Sequence, residues 1–131
     1  MAGVSTDEVV ELDSNFLVDV LHAKGSQTEA LRTWMRAGAK IQISAIAWSE
    51  YLCGPLEPAL VPVARKLLST IEPFTEQDAE LASQLFNRTG RRSRSHVDCM
   101  IAAHAIRRRA VLATLNARDF RRFEKFDLRL A

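Results

Sequence analysis

The sequence predicts an α/β protein, a single domain with a parallel sheet of four to five strands flanked by helices. Short β-branched runs alternate with longer segments of helical periodicity, as in strands joined by crossover helices. At 131 residues the chain has room for one domain that buries about two thirds of its unfolded surface. Four acids stand at the mouths of separate apolar segments: Asp13 after Val9-Val10-Glu11-Leu12, Glu50 after Ile43-Ser44-Ala45-Ile46, Asp98 opening Met100-Ile101-Ala102-Ala103, and Asp119 just past Val111-Leu112-Ala113-Thr114. In an open α/β sheet the carboxyl ends of strands and the adjoining helix starts face one crevice, where acids distant in sequence meet.

Residues 9–13 read as the first strand, followed by Phe16, Leu17, Val20 and Leu21 on one helical stripe that Gly25 ends. Ser26 and Glu29 form a capping-box pattern for a second helix carrying Leu31, Trp34 and Met35, with Gly38 just past its end. A strand at 40–44 leads into a helix from Ala45 that carries Glu50 and stops at Gly54-Pro55. Residues 58–69 give another helix before the short Ile71-Glu72-Pro73-Phe74. Thr75 to Asp78 is a second capping-box pattern, opening a helix through Phe86 that fades into the polar loop Asn87–Arg92. Ser95 and Asp98 open a helix to Arg109, residues 111–114 form a buried strand, and 126–130 a final edge strand.

Hydrophobic and charged fractions of 47% and 26% exclude disordered and fibrous classes. Cys53 and Cys99 lack zinc spacing and are too few for a disulfide framework, so both read as buried free thiols. The first eight residues are acidic, and no apolar run approaches the roughly 18 residues of a membrane span. A cytoplasmic protein with no membrane contact is expected.

Carboxylates gathered in one hollow repel each other and are tolerable at neutral pH mainly when a cation neutralises them, so Mg²⁺ or Mn²⁺ is the expected occupant. The net charge of +2 conceals a division: residues 1–87 carry −6 and residues 88–131 carry +8, nearly all of the latter basic residues being arginine. An acidic pocket bordered by arginines suits a polyanion, because the guanidinium fork grips phosphate. Arg91, Arg92 and Arg94 precede the helix that carries Asp98 and are the expected contacts to a phosphate backbone, while Arg107–Arg109 at its other end suit the helix C-terminal carbonyls. Each acid also has a purely structural reading. Asp13 can cap the next helix, Asp98 can join Ser95 in a capping-box-like pair, Asn116 and Asp119 can repeat the pattern, and Glu50 can be an exposed helical glutamate. His22, His96 and His104 lack ligand spacing and are expected to pack or face solvent, and Trp34, Trp48 and the phenylalanines are expected in the core.

Taken in order, Leu12-Asp13-Ser14-Asn15, Trp48-Ser49-Glu50, Asp98-Cys99-Met100-Ile101-Ala102-Ala103-His104-Ala105 and Ala113-Thr114-Leu115-Asn116-Ala117-Arg118-Asp119-Phe120 resemble the signatures of PIN-domain ribonucleases. The closest likeness is to the VapC-type toxins of bacterial toxin–antitoxin pairs. The resemblance spans essentially the whole chain and implies one PIN domain over residues 1–131, with 1–8 a flexible N-terminal extension. It implies a Mg²⁺- or Mn²⁺-dependent endoribonuclease held inactive by a cognate antitoxin, with RNA the phosphate backbone that Arg91, Arg92 and Arg94 contact.

Under that resemblance Asp13, Glu50, Asp98 and Asp119 are the catalytic and metal-binding acids, supported by Ser14, Asn15, Thr114 and Asn116. Several members of the family carry an acid where this chain has Asn116, so occupancy of a second metal is an open point, a neutral oxygen being the weaker ligand. The expected reaction is hydrolysis by metal-activated water, leaving 5′-phosphate and 3′-hydroxyl ends. Asp13, Asp98 and Asp119 would hold the cation, and Glu50 would be a ligand or the group that deprotonates water. Self-pairing and antitoxin docking are expected through Trp34, Met35, Leu52 and Leu56, with the antitoxin tail reaching the acids.

The alternative is a PIN-fold module that binds RNA without cutting it. A phosphoacceptor receiver would need an acidic pair at the first strand, where Ser-Asn follows Asp13, and a dehalogenase-type phosphatase would need an acid at Asn15.

Overall fold

Val9–Leu12 form β1, the middle strand of a five-stranded, all-parallel sheet in the order β3-β2-β1-β4-β5. A computed structural model describes residues 8–22 and 24–131. Residues 1–7 of the expected N-terminal extension lie outside the described residues. Glu8, its last residue, belongs to the fold: its carbonyl accepts from the Lys40 N–H at 3.1 Å and its carboxylate pairs with Arg129.

From β1 the chain runs through α1 (Ser14–Leu21) and α2 (Thr28–Arg36) to β2 (Lys40–Ser44), then α3 (Ala45–Cys53), α4 (Val61–Leu67) and β3 (Thr70–Glu72). The antiparallel helices α5 (Glu76–Arg88) and α6 (His96–Arg107) return it to β4 (Val111–Ala113), and α7 (Ala117–Phe120) leads to β5 (Arg129–Leu130). The expected fold class and strand count hold, with seven α-helices among the described residues. Both sheet faces are covered, which is why β1, β2 and β4 are nearly all buried. Leu12, Leu17, Ile43, Ile101, Leu112 and Phe120 anchor that core, each contributing about 1.5–3 kcal/mol by leaving water.

Element boundaries depart from the sequence reading where side chains found other partners. Ser26 does not cap α2: its N–H and hydroxyl both donate to Asp19 Oδ1 at 3.2 and 3.1 Å, while the Gln27 N–H donates to Oδ2, so α2 starts two residues later. The helix expected from residue 58 opens as a 3₁₀ turn over Pro58–Leu60, because Pro62 has no N–H to continue an α pattern back to Pro58. Residues 121–126, partly assigned to the last strand, form a 3₁₀ helix instead. Phe120 and Phe123, three apart and fully buried, need a helical turn to face the core together. Gly38, at φ 84°, closes α2 with the Ala39 N–H reaching back to the Trp34 carbonyl, and Gly90, at φ 87°, does the same for α5. The Thr75–Asp78 capping box is formed as expected.

Two surface expectations are corrected. Trp34 is buried, stacked 5.6 Å from Phe16, whereas Met35, Leu52 and Leu56 are exposed. Cys99 is buried, but Cys53, in the last turn of α3, is exposed. No described helix is long and apolar enough to cross a membrane.

Polar groups enter the core at two places. Glu11, in the central strand, is fully buried, and its Oε1 accepts from Gln42 Nε2 at 2.8 Å, its register partner on β2. The same oxygen faces His104 Nδ1 at 2.7 Å, and His104 Nε2 faces the Pro73 carbonyl at 3.2 Å. His104 therefore packs inside, as expected. Asp78 of α5, equally buried, is bound by Arg107, the last residue of α6, and by Arg108 just past it.

Candidate active site

Parallel strands send all their carboxyl ends to one edge, and the strand order changes direction between β1 and β4, where such sheets form their crevice. Asp13 follows β1 directly at that point. It is buried, its N–H donates to the Ala113 carbonyl at 2.9 Å, and its two carboxylate oxygens take different donors. Oδ1 accepts from the Ser14 N–H at 2.9 Å, which is a helix-capping contact, and Oδ2 accepts from the Thr114 hydroxyl at 2.8 Å across the crevice. One oxygen thus caps α1 while the other reaches across the crevice.

The other acids arrive from three helices whose N-terminal ends lie at the same edge. Glu50, on α3, accepts from the Ser14 hydroxyl at 3.3 Å. Asp98 lies in the first turn of α6, because that helix runs antiparallel to the strands. The capping-box pair with Ser95 is not formed, since Ser95 makes no side-chain cap and its hydroxyl donates to the Arg92 carbonyl, while the first-turn position of Asp98 keeps the favourable end of the helix dipole. Asp119, on α7, is exposed and accepts from Asn116 Nδ2 at 2.8 Å. Asn15 braces the edge, its Oδ1 accepting from the Leu115 N–H at 3.1 Å and from Thr114, whose own oxygen accepts from the Asn116 N–H.

Burial dominates at three of the acids, with neighbouring charges adding to it at Glu50 and Asp98. Burial pushes the Asp13 carboxyl above its ordinary value, against the opposing bonds from Thr114 and Ser14. Burial, with the charges of Asp13 and Asp98, raises Glu50. Burial, with Asp13 and Asp119, raises Asp98 although Arg122 pulls the other way. The charged forms of Asp13, Glu50 and Asp98 are therefore disfavoured by their surroundings, and a positive charge among them would relieve this.

Arg122 is the residue that sequence reasoning missed. It was one basic residue among many, but it follows Asp119 by three and so lies on the same face of the turn, with Nη2 3.7 Å from Asp98 Oδ2. The expected RNA contacts Arg91, Arg92 and Arg94 lie exposed in the loop leading to Asp98 and touch none of the four acids. Arg91 and Arg94 adopt left-handed backbone, at φ 51° and 65°, and Arg91 donates to Asn87 and covers the Phe86 ring at 5.6 Å. Arg107 and Arg108 are committed to Asp78, with Arg108 also donating to the His104 carbonyl at the helix end.

A groove of about 430 Å³ runs from Ser14, Asn15 and Glu50 along Val18, Tyr51 and Pro55. The largest hollow, about 780 Å³, lies at the opposite sheet edge around Glu8, Arg109 and Arg129, away from the acids.

The sequence model of the PIN domain family matches residues 10–126, which is most of the chain and takes in all four acids. The chain belongs to the PIN domain family. Solved PIN-fold structures agree. A chain of VapBC2 from Rickettsia felis, bound to a promoter DNA fragment, superposes with a TM-score of 0.75 at 21% identity over 94% of this chain and 97% of its own. One of DNA-bound VapBC from Salmonella typhimurium gives 0.71 at 25% identity over 95% and 97%. VapC20 of Mycobacterium tuberculosis, a sarcin–ricin loop cleaving toxin, gives 0.57 at 17% identity over 77% and 84%. No curated protein sequence matches this chain.

The donor set of this PIN domain fits a hard divalent cation in its chemistry: oxygen ligands only, with Glu50 and Asp98 raised by burial and, beyond it, by neighbouring carboxylates. Among the described residues no three acidic, His or Cys side chains form a ready-made cage. Mg²⁺ does not require one, since it keeps several waters and is held by one or two carboxylates plus substrate phosphate. Asp13 and Asp98 would be the direct ligands, with Glu50 and Asp119 at the rim.

Proposed function

We propose that this PIN domain is a Mg²⁺- or Mn²⁺-dependent endoribonuclease, the toxin of a VapBC-type toxin–antitoxin pair. The observation that supports the reading is the gathering of Asp13, Glu50, Asp98 and Asp119 near the carboxyl edge of the sheet at the β1–β4 crevice, where burial raises the first three and Asp13 adds its charge at Glu50 and Asp98. When bound, the divalent cation supplies Lewis acidity that offsets charge developing on the phosphate and makes water a usable nucleophile. Thr114 and the Ser14 N–H fix the Asp13 carboxylate, so that its ligand oxygens are set before substrate arrives. Glu50, whose carboxyl burial and the charges of Asp13 and Asp98 make more basic, is the candidate to take the proton of the attacking water. Asn116 orients Asp119 and is not itself an acid, which favours a single strong cation site.

Several solved structures sharing the fold are toxin–antitoxin complexes, which supports a cognate antitoxin as partner. Exposed Met35, Leu52 and Leu56 supply apolar surface for that antitoxin and for a homodimer contact, in place of the buried Trp34.

The test is direct. Protein freed of antitoxin should cut RNA with Mg²⁺ or Mn²⁺ and stop in EDTA. Cleavage that continues undiminished in EDTA, or RNA binding with no cleavage under any divalent ion, rejects the reading.

The arginine loop leads to a separate prediction. Replacing Arg91, Arg92 and Arg94 by Gln should weaken RNA binding across sequences and flatten the slope of log affinity against log salt by about 0.7 per lost phosphate contact on a single strand. Metal affinity should be unchanged, because these side chains touch none of the acids. An unaltered salt slope would remove the loop from the RNA path.

A further inference from the structure

Arg122 holds its guanidinium in an unusual position. Nη1 donates to the Asp119 carbonyl, the Phe123 ring lies 4.5 Å from Cζ, and Nε is buried with no hydrogen-bond partner. The side chain is only 17% exposed. Two of the three nitrogens are thus fixed or enclosed, and the third, Nη2, stands 3.7 Å from Asp98 Oδ2. That separation is well beyond an N–H···O hydrogen bond, so the contact is Coulombic attraction without a closed bond. A divalent cation carries twice the charge and approaches a carboxylate oxygen to about 2.1 Å. It therefore takes this oxygen from the guanidinium.

We propose that Arg122 is a built-in counter-ion of Asp98 that a divalent cation must displace, and that it thereby sets the affinity of the acidic site for metal. The inference rests on the metal-dependent reading above and deepens it. Without a cation in the site, the arginine offsets part of the repulsion that Asp13 and Asp119 exert on Asp98. A cation binding there must compete with the arginine for Asp98, and the attraction it displaces is subtracted from its affinity. Arg122 is a positioning residue here, acting through Asp98. The Phe123 stack and the Asp119 carbonyl hold its guanidinium beside Asp98, so the competition persists.

Mn²⁺ binding to the purified chain, read by the paramagnetic resonance signal of free ion, tests this without any RNA. Arg122→Gln should tighten Mn²⁺ binding at least about fivefold, the lower end for coupling between two sites. Arg122→Lys, which keeps the charge but not the planar stack, should fall between the two. Arg122→Met, which keeps an apolar contact with Phe123, replaces the Gln variant if the latter fails to fold. In an Asp98→Asn background the Arg122 substitution should change the affinity less than about twofold, because the arginine acts through that carboxylate. Unchanged or weaker Mn²⁺ binding in Arg122→Gln, where Asp98→Asn alone still measurably weakens binding, overturns the counter-ion role and leaves the nuclease reading standing. Equal tightening with and without Asp98 reduces Arg122 to a diffuse surface charge and also overturns it. Mn²⁺ binding indifferent to Asp98 in every variant removes the acidic metal site itself, and both readings with it.

Discussion

Replacing Asp98 by Asn is expected to slow RNA cleavage at least about 100-fold, close to 3 kcal/mol of barrier, with the fold intact. The substitution preserves size and removes one charge from a half-buried carboxylate in the first turn of α6. Helix capping does not compete for the explanation, since Ser95 and Asp98 form no capping box. The stability effect has the opposite sign to the catalytic one. Burial and the charges of Asp13 and Asp119 outweigh Arg122, so the folded carboxyl titrates above its unfolded value. Stability from such a group is fully present below the unfolded pKa and is lost as pH rises through the folded one. A permanently neutral Asn escapes that loss, and the variant should melt at or above the parent at neutral pH. Single-turnover RNA cleavage and thermal melting of the same preparation decide the matter. Normal cleavage, or lost cleavage with a lowered melting point, would return Asp98 to a structural role.

How much of this was legible beforehand depends on the range of the interaction involved. The acids and their shared edge were readable because a parallel sheet converts local order, strand followed by acid, into a common location. Capping predictions fared unevenly for the same physical reason throughout: a short polar side chain takes whichever donor or acceptor tertiary packing brings closest. Thr75 and Asp78 found each other, whereas Ser26 met Asp19, seven residues earlier in the chain, and Ser95 met the Arg92 carbonyl. Glu11 and Gln42 look misplaced in apolar strands until the register pairs them and α6 adds His104. Nothing within either strand's own sequence announces that partnership. Arg122 was hidden by its abundance of neighbours, and only the turn that buries Phe123 distinguishes it from Arg121 and Arg118.

Asp78→Ala is expected to cost about 3 kcal/mol at neutral pH, the largest single effect on stability foreseen here, although no part of the acidic crevice is touched. The carboxylate is fully buried, and both oxygens are occupied: Oδ1 accepts from Arg107 Nη1 at 2.8 Å and Arg108 Nη1 at 2.9 Å, Oδ2 from Arg108 Nη2 at 3.0 Å and the Thr75 N–H at 2.8 Å. Removal leaves two guanidinium groups facing an apolar gap between α5 and α6 and frees the Thr75 N–H. The exposed Arg32–Glu29 pair, as short at 2.7 Å but with both side chains mostly in water, should be worth no more than about 0.5 kcal/mol. Burial alone would raise the Asp78 carboxyl, yet the bonds from Arg108, Thr75 and Arg107 win and hold it well below the usual carboxylate range. A depressed carboxyl contributes stability that is present above its unfolded pKa, about 3.9, and lost as pH falls toward the folded value. Urea midpoints for the parent and Asp78→Ala should therefore differ most at pH 7 and converge as the pH approaches 2. Arg108, 21% exposed and bound to both oxygens, should cost more on truncation to Ala than Arg107, 37% exposed and bound to one. A gap below about 1 kcal/mol at pH 7, or one that does not narrow in acid, would mean that the α5–α6 hairpin is held by its apolar face alone and that the buried carboxylate merely accompanies it.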